Sequence, residues 1–183
     1  MQDDWAKPIE NSIEGIRHGM IHFDGVEFDL RLTTDGELVL FHDNFLSNAQ
    51  RQQIGGSKWT EDHSSDELKE LGIPLFSELL SDEVFTNAWR EHAKVACVEL
   101  KMPHPNSKIA GSVNPRKRGK HARAIARLAN SMLIEVGLEH SNVVIFSFKR
   151  RFRHACARAN VNWPVAQLQP AIPEMGGRHM KRI

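Results

Sequence analysis

Hydrophobic and polar residues follow two periods along this chain, and the switches between them mark its elements. Ile13, Ile16 and Met20 recur at helical spacing behind a capping residue, Asn11 or Ser12, and predict a helix over 12–20. Period two takes over in GVEFDLRL, with Val26, Phe28 and Leu30 on one face and Glu27, Asp29 and Arg31 on the other. Thr34-Asp35-Gly36 is a hairpin-type turn, and ELVLFHD predicts a second strand. Residues 47–63 are polar and aperiodic and read as a loop. Ser64 and Glu67 have capping-box spacing ahead of LKEL, and Gly72-Ile73-Pro74 stops that helix. A helix capped by Ser77, with Leu80, Val84 and Ala88 as its stripe, is expected to run to about His92.

VACVEL then predicts a strand, and 103–119 predicts a long loop rich in Pro, Gly, Ser and basic residues. HARAIARLANSMLIEV predicts a helix with Ile125, Leu128, Met132 and Val136 on one face and Gly137 just beyond its end. VVIFSF reads as a strand, Phe148, Phe152, Cys156 and Ala159 mark a helix, and PVAQL is the last strand; the tail PEMGGRHMKRI reads as frayed. From Lys94 onward the order is strand, helix, strand, helix, strand. Connections of that length suit parallel crossovers, so the expectation is an α/β sheet or barrel, as one domain over 1–183.

Composition removes several classes of partner. With 24 Lys plus Arg against 23 Asp plus Glu, the chain carries a formal charge of +1, too little for a bulk nucleic-acid footprint. No apolar run approaches the roughly 20 residues of a transmembrane helix, and the start MQDDWAKPIENS is too acidic for a secretory signal. Cys97 and Cys156 make neither a disulfide framework nor a zinc set, so a reducing, cytoplasmic setting is expected.

The candidate chemistry lies near strand ends. Glu27 and Asp29 share a strand face, Glu99 and Lys101 repeat that spacing in VELK, and His42-Asp43 ends the returning strand. Polar groups at the carboxyl ends of several strands are what an α/β ligand site needs. Taken singly, Glu27/Asp29 suits a solvated edge strand equally well, Glu99/Lys101 suits a surface ion pair, and a lone His42 more often faces solvent. If Glu27, Asp29 and Glu99 converge, the balance changes. Two carboxylates about 4 Å apart repel by roughly 4 kcal/mol at an effective dielectric of about 20. One lysine does not offset three such pairs, whereas a divalent cation does, and all-oxygen ligands favour Mg²⁺ or Ca²⁺ over zinc.

The joint pattern VEFDLRLTTDGELVLFHD followed by VELK resembles the glycerophosphodiester phosphodiesterase family, whose signature is an ExD strand, a TxDG turn, an HD strand and a later ExK strand. IENS, SSDELKELGIPLFSELL and IFSF add to the match, which runs from about Pro8 to Leu168. The resemblance implies a TIM-type (β/α) barrel that hydrolyses glycerophosphodiesters to glycerol 3-phosphate and an alcohol. It implies a divalent cation, Mg²⁺ or Ca²⁺, held by Glu27, Asp29 and Glu99, with His42 as general acid or base and Lys101 at the phosphate. It carries a weaker expectation that Glu10, Asn11 and Ser147 lie near the pocket.

The chain also departs from the pattern. The family opens with a strand ending in His-Arg, whose histidine partners the HD histidine, and no such strand precedes Pro8. Eight βα units take about 250 residues. Family strands two to six have matches here, and the last two strands have none after Leu168. The expectation is therefore an incomplete barrel, truncated at both ends, with open sheet edges suited to self-association. Loss of one proton-transfer group costs about 10²–10⁴ in rate. The alternative to an active hydrolase is thus a weakened or inactive remnant that binds a cation or phosphate ester without turnover. The basic runs Arg116–Arg127 and Lys149–Arg153 read as solvated faces, with capture of an anionic group as the competing reading and a nucleic-acid module behind both.

Overall fold

The computed structural model describes residues 8–91, 94–109, 115–138 and 142–168; the expected frayed tail lies outside them. Helix α1 (Ile13–His22) is capped by Ser12, whose side chain accepts from Gly15 N, and buries Ile16 and Met20. Strand β1 (Gly25–Leu32) turns through Thr33–Gly36 into β2 (Leu38–Leu40), which pairs with it antiparallel. β1 then pairs in parallel with β3 (Val95–Leu100), β3 with β4 (Val143–Ser147), and β4 with β5 (Val165–Gln167). The sheet order is β2-β1-β3-β4-β5, so four strands run parallel and β2 is the returning arm of the hairpin. Among the described residues the sheet does not close, and β2 and β5 stand at its edges.

One face of the sheet carries the core. Phe28 and Leu30, Val98 and Leu100, and Val143 and Ile145 project from three adjacent strands into one apolar cluster with Met20, Phe76, Trp89, Ile125, Leu133 and Phe152 from the helices. Gly25 opens β1 where its register partner Val95 comes close. A Cβ there would sit 2.1 Å from Val95 O, so only glycine lets the two strands start side by side. A smaller cluster, Val39, Leu46, Leu68 and Ile73, fastens the outer side of β2.

Three expected stretches come out differently. The presumed loop 47–63 contains α2 (Asn48–Ile54) and a single 3₁₀ turn at Thr60–Asp62. Helix α2 buries none of its residues, so it leaves no apolar period to read; the Ser47–Gln50 capping box starts it. After α3 (Ser65–Glu70), which has the expected capping box, the single expected helix is two: α4 (Phe76–Ser81), which begins behind Leu75 rather than Ser77, and α5 (Glu83–Glu91). Asp82 divides them, because its side chain accepts from Phe85 N and starts a new helix. Phe85 and Trp89 then take the buried positions, and Val84 faces solvent. Finally, α6 spans Pro115–Glu135, beginning within the expected loop, since proline suits a first helical turn. Helix α7 (Arg151–Ala159) leads to β5.

Candidate metal and phosphate site

Parallel register builds the acidic cluster. Asp29 on β1 and Glu99 on β3 are direct register partners, and Glu27 lies two residues earlier on the same face as Asp29. The three carboxylates offer oxygens that all lie within 4.8 Å of one another, so the expected convergence of two separated segments is met. Asp29 is 1% exposed and Glu99 6%, while Glu27 opens to solvent. Neither Asp29 nor Glu99 is therefore a solvated edge carboxylate.

Lys101 follows β3 and turns its ammonium between the two buried acids, 2.9 Å from Asp29 Oδ1 and 2.8 Å from Glu99 Oε2. The contact to Glu99 is a hydrogen bond. Asp29 Oδ1 meets the ammonium as an ion pair only and accepts no aligned hydrogen bond, although it is fully buried. Such an orphaned carboxylate oxygen among two further carboxylates fits a bound cation, and the all-oxygen donor set fits a hard one. Burial pushes the Glu27 carboxyl up to about 7, and the charges of Asp29, Glu99 and Glu10 push the same way against the pull of Lys101. Burial also raises Glu99, opposed by the Lys101 hydrogen bond and charge and by His42. One ammonium leaves the cluster short of positive charge.

The remaining expected residues take definite places. Asn11, buried with φ of 57°, pairs twice with Asp29: its Nδ2 donates to Oδ2 and its Oδ1 accepts from the backbone N–H, each at 2.9 Å. Asn11 thus fixes the Asp29 carboxylate and satisfies the edge of β1 where no strand pairs. Glu10 is exposed, and its charge is felt at Glu27. His42 is half exposed beside Glu99, with Nδ1 2.9 Å from Asp43 Oδ1. Ser147 is not brought to the cluster. Alternation places it with Val143 and Ile145, opposite Phe146, which is the register partner of Glu99; its Oγ accepts from Lys149 N at 3.3 Å. Cys97 pairs with Glu27 in register, and burial raises its thiol pKa, so it stays a packed thiol.

Sequence reasoning missed a second buried charge group on the same face of β1. Arg31 is 2% exposed and pairs with Glu61, 1% exposed, in the 3₁₀ turn. Its one signal in the sequence was that it shares a strand face with Glu27 and Asp29.

The sequence model of the glycerophosphoryl diester phosphodiesterase family matches residues 2–175, and the chain belongs to that family. A glycerophosphodiester phosphodiesterase of Bacillus subtilis (strain 168) is 27% identical over 159 residues, which is 81% of this chain and 50% of that protein. The chain thus spans half the length of that curated relative. Among solved structures, a glycerophosphodiester phosphodiesterase from Parabacteroides distasonis superposes with a TM-score of 0.62 at 22% identity, over 88% of this chain and 59% of its own. An Oleispira antarctica phosphodiesterase, solved with its product sn-glycerol-3-phosphate, gives 0.60 at 20% identity, over 88% of this chain and 60% of its own. The fold is that of a TIM-type barrel, of which the described strands form an open arc. No helix among the described residues is long and apolar enough to cross a membrane.

Proposed function

We propose that this chain is a metal-dependent phosphoric diester hydrolase that cleaves glycerophosphodiesters to glycerol 3-phosphate and an alcohol. The observation that carries the reading is the meeting of Glu27, Asp29 and Glu99 around one buried ammonium, with His42 alongside. Glu27, Asp29 and Glu99 would hold Mg²⁺ or Ca²⁺, which supplies charge neutralisation at an anionic phosphodiester. Asn11 keeps the Asp29 carboxylate oriented for that task. Lys101 places a second positive charge where negative charge grows on the phosphoryl oxygens in the transition state. His42, open to solvent and oriented by Asp43, protonates the leaving alkoxide.

The test is hydrolysis of glycerophosphodiesters in EDTA and after adding back Mg²⁺ or Ca²⁺, alongside calorimetric titration of each cation. Activity and cation heat are both expected to vanish in Glu99→Gln; cation-independent hydrolysis would remove the metal from the mechanism.

The second reading, a cation or phosphate-ester binder without turnover, is favoured by the surroundings of His42. Its Nδ1 meets the Asp43 carboxylate rather than a second imidazole. Binding of glycerol 3-phosphate with no product formed from any diester selects this reading.

A further inference from the structure

We propose that Arg31, Thr60 and Glu61 form a cradle whose task is to position His42. This rests on the hydrolytic reading of the site for its purpose, though not for its geometry. Strand β2 ends at Leu40, and its ladder to β1 extends only to Phe41, whose N–H donates to Asp29 O at 3.2 Å, so no ladder fixes His42 itself. The carbonyls of 41–44 are nonetheless taken in sequence. Arg31 Nε donates to Phe41 O at 3.1 Å, and Arg31 Nη2 donates to His42 O. Thr60 Oγ1 donates to Asp43 O at 3.0 Å, and Thr60 N donates to Asn44 O at 3.1 Å. Arg31 Nη1 reaches Asn44 Oδ1 at 3.3 Å and also pairs with Glu61, the neighbour of Thr60. Four consecutive carbonyls are therefore held by two side chains and one backbone amide, and the two side chains are joined through Glu61.

Stability is a poor reason for such an arrangement. Burying a guanidinium and a carboxylate together costs desolvation that their attraction roughly repays, and apolar replacements of similar volume are often as stable. What the pair supplies is direction: a planar fork with fixed donor angles that an apolar side chain does not offer. The rim of the acidic cluster needs that direction, because the His42 ring is half exposed and, among the described residues, its one side-chain hydrogen bond is to its exposed neighbour Asp43. Arg31 and Thr60 are thus positioning residues, acting on His42 through the backbone of 41–44.

The experiment uses the full chain labelled with ¹³C at histidine Cε1. The His42 ring signal, assigned by its loss in His42→Ala, is compared in wild type, Arg31→Lys and Thr60→Val, without cation. Amide exchange of β3 serves as the folding control. The wild-type signal is expected to be single and restricted. In both variants it should broaden or split while β3 protection persists, with Arg31→Lys the stronger because lysine cannot span two carbonyls. An unchanged ring signal in folded Arg31→Lys overturns the proposal. If Arg31→Lys does not fold, an unchanged signal in Thr60→Val does so. Where the wild type hydrolyses diesters, kcat should fall by about 10²-fold in Arg31→Lys with little change in KM, the loss expected from misplacing a reacting group by about 1 Å. A proportional rise in KM with kcat intact would count against positioning. An inactive wild type would fail the hydrolase reading alone, since the ring signal decides the cradle separately.

Discussion

Asp29 and Arg31 sit two residues apart on β1, face the same way, and are both almost fully buried, yet they belong to opposite kinds of site. Around Asp29 three carboxylates gather with one ammonium, and a buried oxygen is left without an aligned hydrogen bond. Around Arg31 the charges are matched, one guanidinium to one carboxylate, and four of its five donors are spent on Phe41, His42, Asn44 and Glu61. The first region is built to receive something positive. The second gathers no excess of carboxylates and holds the chain in place, although Glu61 Oε2 is likewise buried without a hydrogen bond. Charge balance, rather than burial, separates a ligand site from a scaffold.

The comparison breaks most visibly at the matched pair. Arg31→Met strands Glu61 as a buried charge, and removing one partner of such a pair costs about 3–5 kcal/mol. Urea unfolding should show that loss, and Arg31→Met with Glu61→Leu should recover most of it. If the double variant is no more stable than the single one, the two groups are not coupled as the geometry says.

That contrast also explains what the sequence made legible. The bounds of β1 and β3 and the shared face of Glu27 and Asp29 could be read directly, because strict alternation places side chains on a common face without knowledge of the rest of the fold, whereas which face is buried waited on the fold. Lys101 could be read as a neighbour of Glu99 but not as the buried bridge to Asp29, which depends on the parallel register of two segments far apart in the chain. Glu61 could not be read at all. It lies in an irregular polar stretch with no period, and only the tertiary fold brings it to Arg31. The division of α4 from α5 was hidden for a related reason: the i, i+4 spacing continues across Asp82, and a capping hydrogen bond overrides it.

A second effect of matched charge reaches His121 on α6. Burial lowers its pKa to about 4, and the positive charge of Arg31 adds to this. The imidazole is 6% exposed, and among the described residues its Nε2 has no hydrogen-bond partner. The folded state therefore resists a proton that the unfolded chain binds below an ordinary value of 6.5. Stability is fully present above that value and is lost as pH falls through the window down to about 4. Between pH 7 and pH 5 the loss from this one group is about 2 kcal/mol. His121→Leu should flatten urea midpoints over that range; an equally steep pH dependence in the variant would place the acid sensitivity elsewhere.

The smallest effect tests the unmatched site most directly, because its sign should reverse with cation. Glu27 is held up at about 7 by burial and by Asp29 and Glu99, so at pH 8 it is ionised against its neighbours and weakens the fold. Glu27→Gln removes that repulsion. Because the group opens to solvent, the gain is screened to under about 1 kcal/mol, or about 3 °C in Tm for a chain of this size. In EDTA the variant should therefore melt slightly above wild type. In excess Mg²⁺ or Ca²⁺ the order should invert, since binding to the native state alone stabilises by RT ln(1 + [L]/Kd), about 2.7 kcal/mol at 100 Kd, and the variant has lost a ligand. A variant that melts below wild type in EDTA would mean that Glu27 is a structural partner, and the cluster would then be as balanced as the Arg31–Glu61 pair. A variant that gains as much from cation as wild type would show that the ion is held without Glu27, leaving only the two buried acids to define its site.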